Sequence, residues 1–122
     1  MLMCSLSMII SSINPVNGSI IKEYKEDTSK IVHQKIDQVH HSWLSYRTTD
    51  FAYRAALLKK IAELINESKE ELARIMALEM GKPIKAGLAE VLKCASVCDY
   101  YADNGADFLA DKLVETAASR VM

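Results

Sequence analysis

The sequence has few cysteines, and none of them belongs to a spaced framework. The three are Cys4, Cys94 and Cys98. An odd number without regular spacing does not fit a small secreted domain stapled by disulfides, and it fits a reducing compartment better. We therefore expect a cytoplasmic protein whose stability comes from packing.

Long apolar runs are also missing. No stretch approaches the ~18 apolar residues that a membrane-spanning helix needs. The first dozen residues contain apolar side chains, but serines at positions 5, 7, 11 and 12 interrupt them and no basic residue precedes them. This is a poor match to a secretory signal. We expect no membrane partner, and we expect residues 1–12 to form a loose N-terminal extension.

Charge of one sign is not in excess. Fifteen basic residues face sixteen acidic ones, which leaves a formal net charge of -1. Such a balance provides no field that would attract nucleic acid or anionic lipid, so we expect neither as a partner. Half of the 122 residues are hydrophobic and a quarter are charged, which is typical of a globular chain about one small domain long.

A β-hairpin is predicted near the start of the chain, over residues 13–24. Apolar stretches flank Asn17-Gly18, a dipeptide that readily takes the positive φ angles of a tight two-residue turn. A two-stranded ribbon is marginal in water by itself. We therefore expect the hairpin to pack on another part of the protein.

Four helical segments follow, and the first three are delimited by capping residues. Asp27 or Thr28 can cap the first, which is expected to end near Tyr46, and Asp50 can cap the second. Ser68 with Glu71 forms a capping box for the third, and Gly81 is the expected stop. Each segment has an apolar stripe at helical spacing; in the first it consists of Val32, Ile36, Val39 and Trp43.

The fourth helix is predicted from Pro83, which suits a first helical turn, to about residue 108. It would be a rod of roughly 40 Å at 1.5 Å per residue. Leu92, Val97 and Tyr100 lie off its main apolar stripe. A helix with apolar residues around so much of its circumference is usually buried among several elements. The hairpin and three shorter helices offer little to cover it, so the fold is predicted to be mostly α with a short N-terminal β-hairpin and an incomplete core.

The residue types that carry chemistry do not form a predicted site. His33, Asp37, His40 and His41 share the first helix, but His40 and His41 point in directions about 100° apart, whereas a structural zinc site needs four converging ligands. We interpret them as a polar helix face, with a helical metal carrier as the alternative. Cys94 and Cys98 are mid-helix and are interpreted as buried small side chains.

Gly81-Lys82-Pro83 lacks the second glycine and the Ser or Thr of a phosphate-binding loop. No glycine-rich dinucleotide fingerprint, Ser-His-Asp set or catalytic carboxylate pair can be assembled from the sequence. We therefore assign no catalytic, cofactor-binding or metal-binding residue within these 122 residues.

Several short stretches, taken together, resemble the amino-terminal portion of aldehyde dehydrogenases, most closely the succinate-semialdehyde dehydrogenase branch. The resemblance runs from about residue 13 to residue 115, in order and with matching spacing. The matching stretches are Ile13-Asn14-Pro15-Val16-Asn17-Gly18-Ser19-Ile20-Ile21, Trp43, Arg54-Ala55-Ala56-Leu57-Leu58, Leu78-Glu79-Met80-Gly81-Lys82-Pro83 and Tyr100-Tyr101-Ala102.

The resemblance implies an NAD- or NADP-dependent oxidation of an aldehyde, with succinate semialdehyde as the expected substrate, by a parent enzyme that forms homo-oligomers. The family nucleophile stands in a Gly-Gln-x-Cys setting, which neither Cys94 nor Cys98 has, so neither inherits that role. Residues 13–122 are expected to be the hairpin and helical segment of an incomplete cofactor-binding domain within an α/β fold. Such a fragment would be inactive and bind no cofactor alone.

By the same resemblance, the fourth helix borders the substrate entrance of the complete enzyme. Glu90 and Lys93 are candidates to face that tunnel, although ordinary surface charge is the favoured interpretation. A self-standing helical module for protein–protein interaction remains the alternative function, because an uncovered apolar stripe also suits a binding partner.

Overall fold

The computed structural model describes residues 9–114. Two strands are followed by four helices, as the hydrophobic pattern predicts: β1 (Ile9–Ile13), β2 (Ile20–Lys25), α1 (Ser29–Tyr46), α2 (Phe51–Glu67), α3 (Lys69–Met80) and α4 (Ile84–Phe108). The prediction of a mostly α fold with an N-terminal hairpin is confirmed. None of the described helices combines the length and apolarity needed to cross a membrane.

The hairpin begins four residues earlier than predicted. β1 pairs with β2 in antiparallel register, with Ile9 opposite Lys25 and an irregularity between Ser12 and Ile13. Residues 9–12 are therefore strand, and their assignment to a loose extension was wrong; residues 1–8 lie outside the described part of the chain. The serines that interrupt the apolar run are compatible with a strand, and the Ser12 hydroxyl donates to the Glu79 carboxylate of α3 at 2.9 Å.

The turn between the strands is longer than the predicted two residues. Gly18 does take a positive φ of 73°, but Asn17 does not, so the mirror-image turn expected for Asn-Gly is not formed. The Asn14 carbonyl instead accepts from the Gly18 amide at 2.8 Å, and the Asn14 side chain accepts from the Val16 amide at 2.9 Å. Because Asn14 starts its own turn ahead of Pro15, the strand ends at Ile13.

Predicted capping residues set the starts of α1 and α2. The Thr28 hydroxyl accepts from the Ile31 amide at 3.4 Å, and the Asp50 carboxylate accepts from the Tyr53 amide at 2.7 Å. Each bond satisfies one of the amides that a helix leaves without an internal partner. Both caps, and the end of α1 at Tyr46, are confirmed.

The start of α3 was predicted correctly, but for the wrong reason. Ser68 directly precedes the helix, yet its side chain makes no capping hydrogen bond. Its own amide donates to Leu64 at the end of α2, and its φ and ψ of -96° and 8° leave little break between the two helices. A capping box needs an extended residue at this point, so none forms.

The other end of α3 follows the prediction. Gly81 adopts the left-handed conformation, with φ 68°, and its amide donates back to Ala77 at 3.1 Å. α4 then starts at Ile84, with Pro83 as its cap rather than its first helical residue.

α4 is the central element, because α2 and α3 both pack on it. The buried hydrophobic residues of the described chain are all small or medium-sized: Ala62, Ala73, Val91 and Ala95. Gly87 of α4 is buried with them, and a Cβ placed there would lie 3.3 Å from the Cα and carbonyl oxygen of Ala73. Close approach of α3 and α4 is therefore possible because of the missing side chain at this crossing.

α1 contributes nothing to that core. None of its 18 residues is buried, and Val39 and Trp43 on its apolar stripe are 69% and 48% exposed. The stripe has the spacing of a packed helix, but within residues 9–114 nothing covers it.

Candidate functional site

An apolar groove of about 450 Å³ lies between the first turns of α2 and the last turns of α4. Its lining side chains are mostly apolar or aromatic, and one is charged. They are Phe51, Ala52, Arg54, Ala55, Leu58, Tyr101, Ala102, Gly105, Ala106 and Leu109. A groove of this size and character is large enough for several apolar side chains of another segment, or for a small ligand.

Arg54 is the charged residue at the groove, and its guanidinium is already engaged. It donates to the Thr49 hydroxyl at 3.0 Å and to the carbonyls of Tyr46 and Arg47 at 3.3 and 2.9 Å. It also lies 5.3 Å from the ring centroid of Tyr46. These bonds satisfy carbonyls at the C-terminal end of α1, and a cation is favourable there. Arg54 therefore fixes the corner between α1 and α2.

Lys59 joins α2 to α4 next to the groove. Its ammonium lies 2.8 Å from a carboxylate oxygen of Asp103 and 3.2 Å from one of Asp99. The hydrogen bond to Asp103, followed by that to Asp99, raises the pKa of Lys59 above its ordinary value, although desolvation opposes the rise. The three side chains are solvated, so they orient the two helices more than they stabilise them.

The uncovered apolar surface predicted for α4 is present. Leu92, Val97 and Tyr100 are 45%, 43% and 53% exposed. The long helix thus presents one face to α2 and α3 and leaves apolar residues on the rest of its circumference without cover in residues 9–114.

The two charged residues proposed to face a substrate entrance both lie on the solvated surface of α4. Glu90 is ion-paired with Lys82, which stands just before the helix. Lys93 is exposed, and its carbonyl accepts from the Ser96 hydroxyl at 2.8 Å.

The histidines of α1 are spread over its exposed surface. Nδ1 of His33 donates to the Ser29 carbonyl at 2.6 Å, and Nδ1 of His41 donates to the Asp37 carbonyl at 2.8 Å. His40 packs against Trp43, with ring centroids 5.7 Å apart. Among the described residues, no three His, Cys, Asp or Glu side chains converge as a metal site would require.

The interpretation of Cys94 and Cys98 as buried side chains was wrong. Cys94 is exposed, Cys98 is half-buried, and both are free thiols. The expectation failed because it assumed that α4 has neighbours on most sides, whereas α2 and α3 leave the Cys94 side of the helix open.

The sheet of the described residues differs from that of a dinucleotide-binding fold. Its two strands are antiparallel, whereas a dinucleotide binds at the carboxyl ends of parallel strands, where a glycine-rich turn leads into a helix. Over residues 9–114 we find no nucleophile paired with a base. The side-chain contacts of the described residues orient the helices and pack them together.

Sequence reasoning did not find the groove or the role of Arg54. The sequence does contain part of the pattern, in the form of two sets of residues at helical spacing. They are Phe51, Ala55 and Leu58 in α2, and Tyr101, Gly105 and Leu109 in and just after α4. The spacing identifies two stripes but does not indicate that they open toward each other.

The chain belongs to the aldehyde dehydrogenase family, whose sequence profile it matches over residues 4–122. It is 39% identical over 113 residues to a probable succinate-semialdehyde dehydrogenase [NADP(+)] of Synechocystis sp., covering 93% of this chain and 25% of that protein. It is 38% identical over 110 residues to succinate-semialdehyde dehydrogenase [NADP(+)] 1 of Mycobacterium tuberculosis, covering 90% of this chain and 24% of that protein. The chain thus spans about a quarter of the length of these relatives.

Solved structures agree with this assignment. The succinic semialdehyde dehydrogenase of Streptococcus pyogenes, determined with NADP+, superposes with a TM-score of 0.82 at 27% identity, covering 88% of this chain and 24% of that one. The protein Gox0499 superposes with a TM-score of 0.86 over 92% of this chain and 25% of its own; at 21% identity that likeness shows the fold alone.

Proposed function

We propose that this chain is the leading portion of an NADP-dependent succinate-semialdehyde dehydrogenase that works in the cytoplasm. The observation that supports the proposal is the identity of 38–39% over about nine-tenths of the chain with relatives named for that substrate and cofactor. The complete enzyme would oxidise the aldehyde to the acid and would work as a homo-oligomer.

Within such an enzyme, the 122 residues act as a packing unit. Within residues 9–114, the groove between α2 and α4, the α1 stripe and the side chains of Leu92, Val97 and Tyr100 on α4 are apolar and uncovered. Burying apolar area stabilises by about 25 cal/mol per Å², so each of these surfaces favours contact with further protein. The relatives carry about three-quarters of their length beyond the matched region, which is ample to supply that contact.

The isolated chain is expected to catalyse no reaction. The hydrogen bonds and ion pairs of the described residues are those of caps, corners and helix-to-helix contacts. Aldehyde oxidation through a covalent intermediate needs a nucleophile, a base and donors for the developing oxyanion. The isolated chain is therefore expected neither to reduce NADP+ nor to bind it.

A chimera tests this function. These residues would replace the matching quarter of the Synechocystis relative, with the unaltered relative as the control. We expect the chimera to form NADPH with succinate semialdehyde and the isolated chain to form none, both followed by absorbance. NADPH formation by the isolated chain would refute the packing role. A folded chimera that forms no NADPH with succinate semialdehyde, under conditions in which the unaltered relative does, would refute the proposal that this chain fits an enzyme of that branch.

A self-standing helical interaction module is the second candidate, and the uncovered α1 stripe is the observation that favours it. The two candidates differ in the behaviour of the purified chain. A single oligomer at low concentration in analytical ultracentrifugation, together with a sharp cooperative melt, would support the module. Concentration-dependent aggregation would support the dehydrogenase portion.

A further inference from the structure

The exposed thiols of α4 form a pair. Cys94 and Cys98 are one helical turn apart, about 40° apart around the axis and about 6 Å along it. Side chains at this spacing are neighbours on the helix surface, with Cβ atoms about 5–6 Å apart. Both thiols are free, Cys94 is exposed and Cys98 is half-buried, so a reagent in solution can reach them.

The surroundings leave the thiols available. Glu90, one turn before Cys94, is held by Lys82. Asp99, beside Cys98, is held by Lys59. Because both carboxylates are already paired with cations, the two thiols are the groups near these positions of α4 that are available to bind a ligand. Sulfur is a soft donor, so a pair of thiols prefers soft metal or metalloid ions.

We propose that Cys94 and Cys98 together form a two-thiol binding site for trivalent arsenicals that carry one organic group. A trivalent arsenic atom that carries one organic group can form two further bonds to sulfur, which matches the two thiols. In the reaction two As–S bonds form, the As=O bond breaks, and the oxygen leaves as water with both thiol protons. Arsenic remains trivalent, so no oxidant or reductant is needed. The site requires only α4 and is independent of the dehydrogenase function.

The probe is phenylarsine oxide, and the starting protein is the reduced Cys4→Ser chain, which removes the third thiol. Mass spectrometry is expected to show one phenylarsenic group per chain, added with the loss of one water. A small dithiol should remove this group, whereas a monothiol should leave it bound. Cys94→Ser or Cys98→Ser in this background should lower the affinity roughly hundredfold or more, because the second bond no longer forms intramolecularly.

A repositioned pair is the matched control. The double change Ser96→Cys with Cys98→Ser keeps two thiols but places them about 160° apart around the helix. This repositioned pair should bind the arsenical no more tightly than the single-thiol variants do. Circular dichroism should show the same helical content in all variants. The proposal is overturned if the Cys4→Ser chain takes up no arsenical. It is also overturned if the repositioned pair binds as tightly, since the helix would then not define the site.

Discussion

At the scale of single residues, glycines at two positions are expected to respond in opposite ways to the same substitution. Gly81 has a φ of 68° and ends α3, whereas Gly105 lies inside α4 with no atom within 4 Å of an added Cβ. Gly81→Ala should destabilise by about 1–2 kcal/mol because of the left-handed backbone. Gly105→Ala should stabilise by about 0.5–1 kcal/mol because alanine favours the helix.

The midpoint of the far-ultraviolet circular dichroism melt measures both changes when the substitutions are made in the chimera, where the apolar surfaces are covered. It should fall for Gly81→Ala and rise for Gly105→Ala. A shift of the same sign in both variants would contradict the assigned backbone conformations.

The residue scale is also where the sequence was most informative about structure. Thr28, Asp50 and Gly81 are predicted correctly because a cap depends on its own residue type and on backbone groups only a few residues away. Ser68 is misread because α2 runs almost directly into α3, and that is a property of two helices rather than of one motif. Cys94 is misread because exposure depends on which neighbours are present.

At the scale of the elements, Lys59 is expected to link α2 and α4 in a pH-dependent way. Its pKa is raised in the folded chain by the hydrogen bonds to Asp103 and Asp99, so its contribution is complete below the ordinary value of 10.5 and is lost as the pH rises through the higher folded value. In the chimera, Lys59→Met should therefore lower the melting midpoint at neutral pH by less than Gly81→Ala does. The difference from the unsubstituted chimera should shrink with salt and in strong base.

Lys60→Met is the matched control for the Lys59 variant. Lys60 also has a raised pKa, caused first by its hydrogen bond to Glu63, but that pair lies within α2. Its removal should leave the α2–α4 contact intact, as judged by hydrogen exchange of the α4 amides. Equal loss of protection in both variants would refute a bridging role for Lys59.

The arrangement of the elements was only partly predictable. The stripes of α2 and α4 follow from helical spacing. That Ala62 is buried while Phe51 lines an open groove depends on how the two helices are placed against each other. Likewise, Arg54 looks like an ordinary surface cation in sequence. Its function depends on the three carbonyl and hydroxyl groups that the α1–α2 corner brings to it.

At the scale of the whole molecule, the buried hydrophobic core is small compared with the apolar surface that stays exposed. The buried hydrophobic residues among 9–114 are three alanines and one valine, while large side chains on every helix remain exposed. The purified chain should therefore bind the dye ANS strongly and show weak near-ultraviolet dichroism beside a helical far-ultraviolet spectrum. In the chimera the added ANS fluorescence should disappear as these surfaces are covered. Weak dye binding by the isolated chain would contradict this account.

The close approach of α3 and α4 at Gly87 affects where the rest of α4 lies. The missing side chain lets the α4 backbone approach Ala73 of α3 at this point, near the start of a 25-residue helix. If α4 moves as a rigid helix, adding one methyl group at this contact would tilt it away from α3. The far end of α4 would then move through a larger distance than the near end. We therefore expect Gly87→Ala to change the width of the opening between Phe51 and Tyr101, although Tyr101 lies nearly four helical turns further along α4.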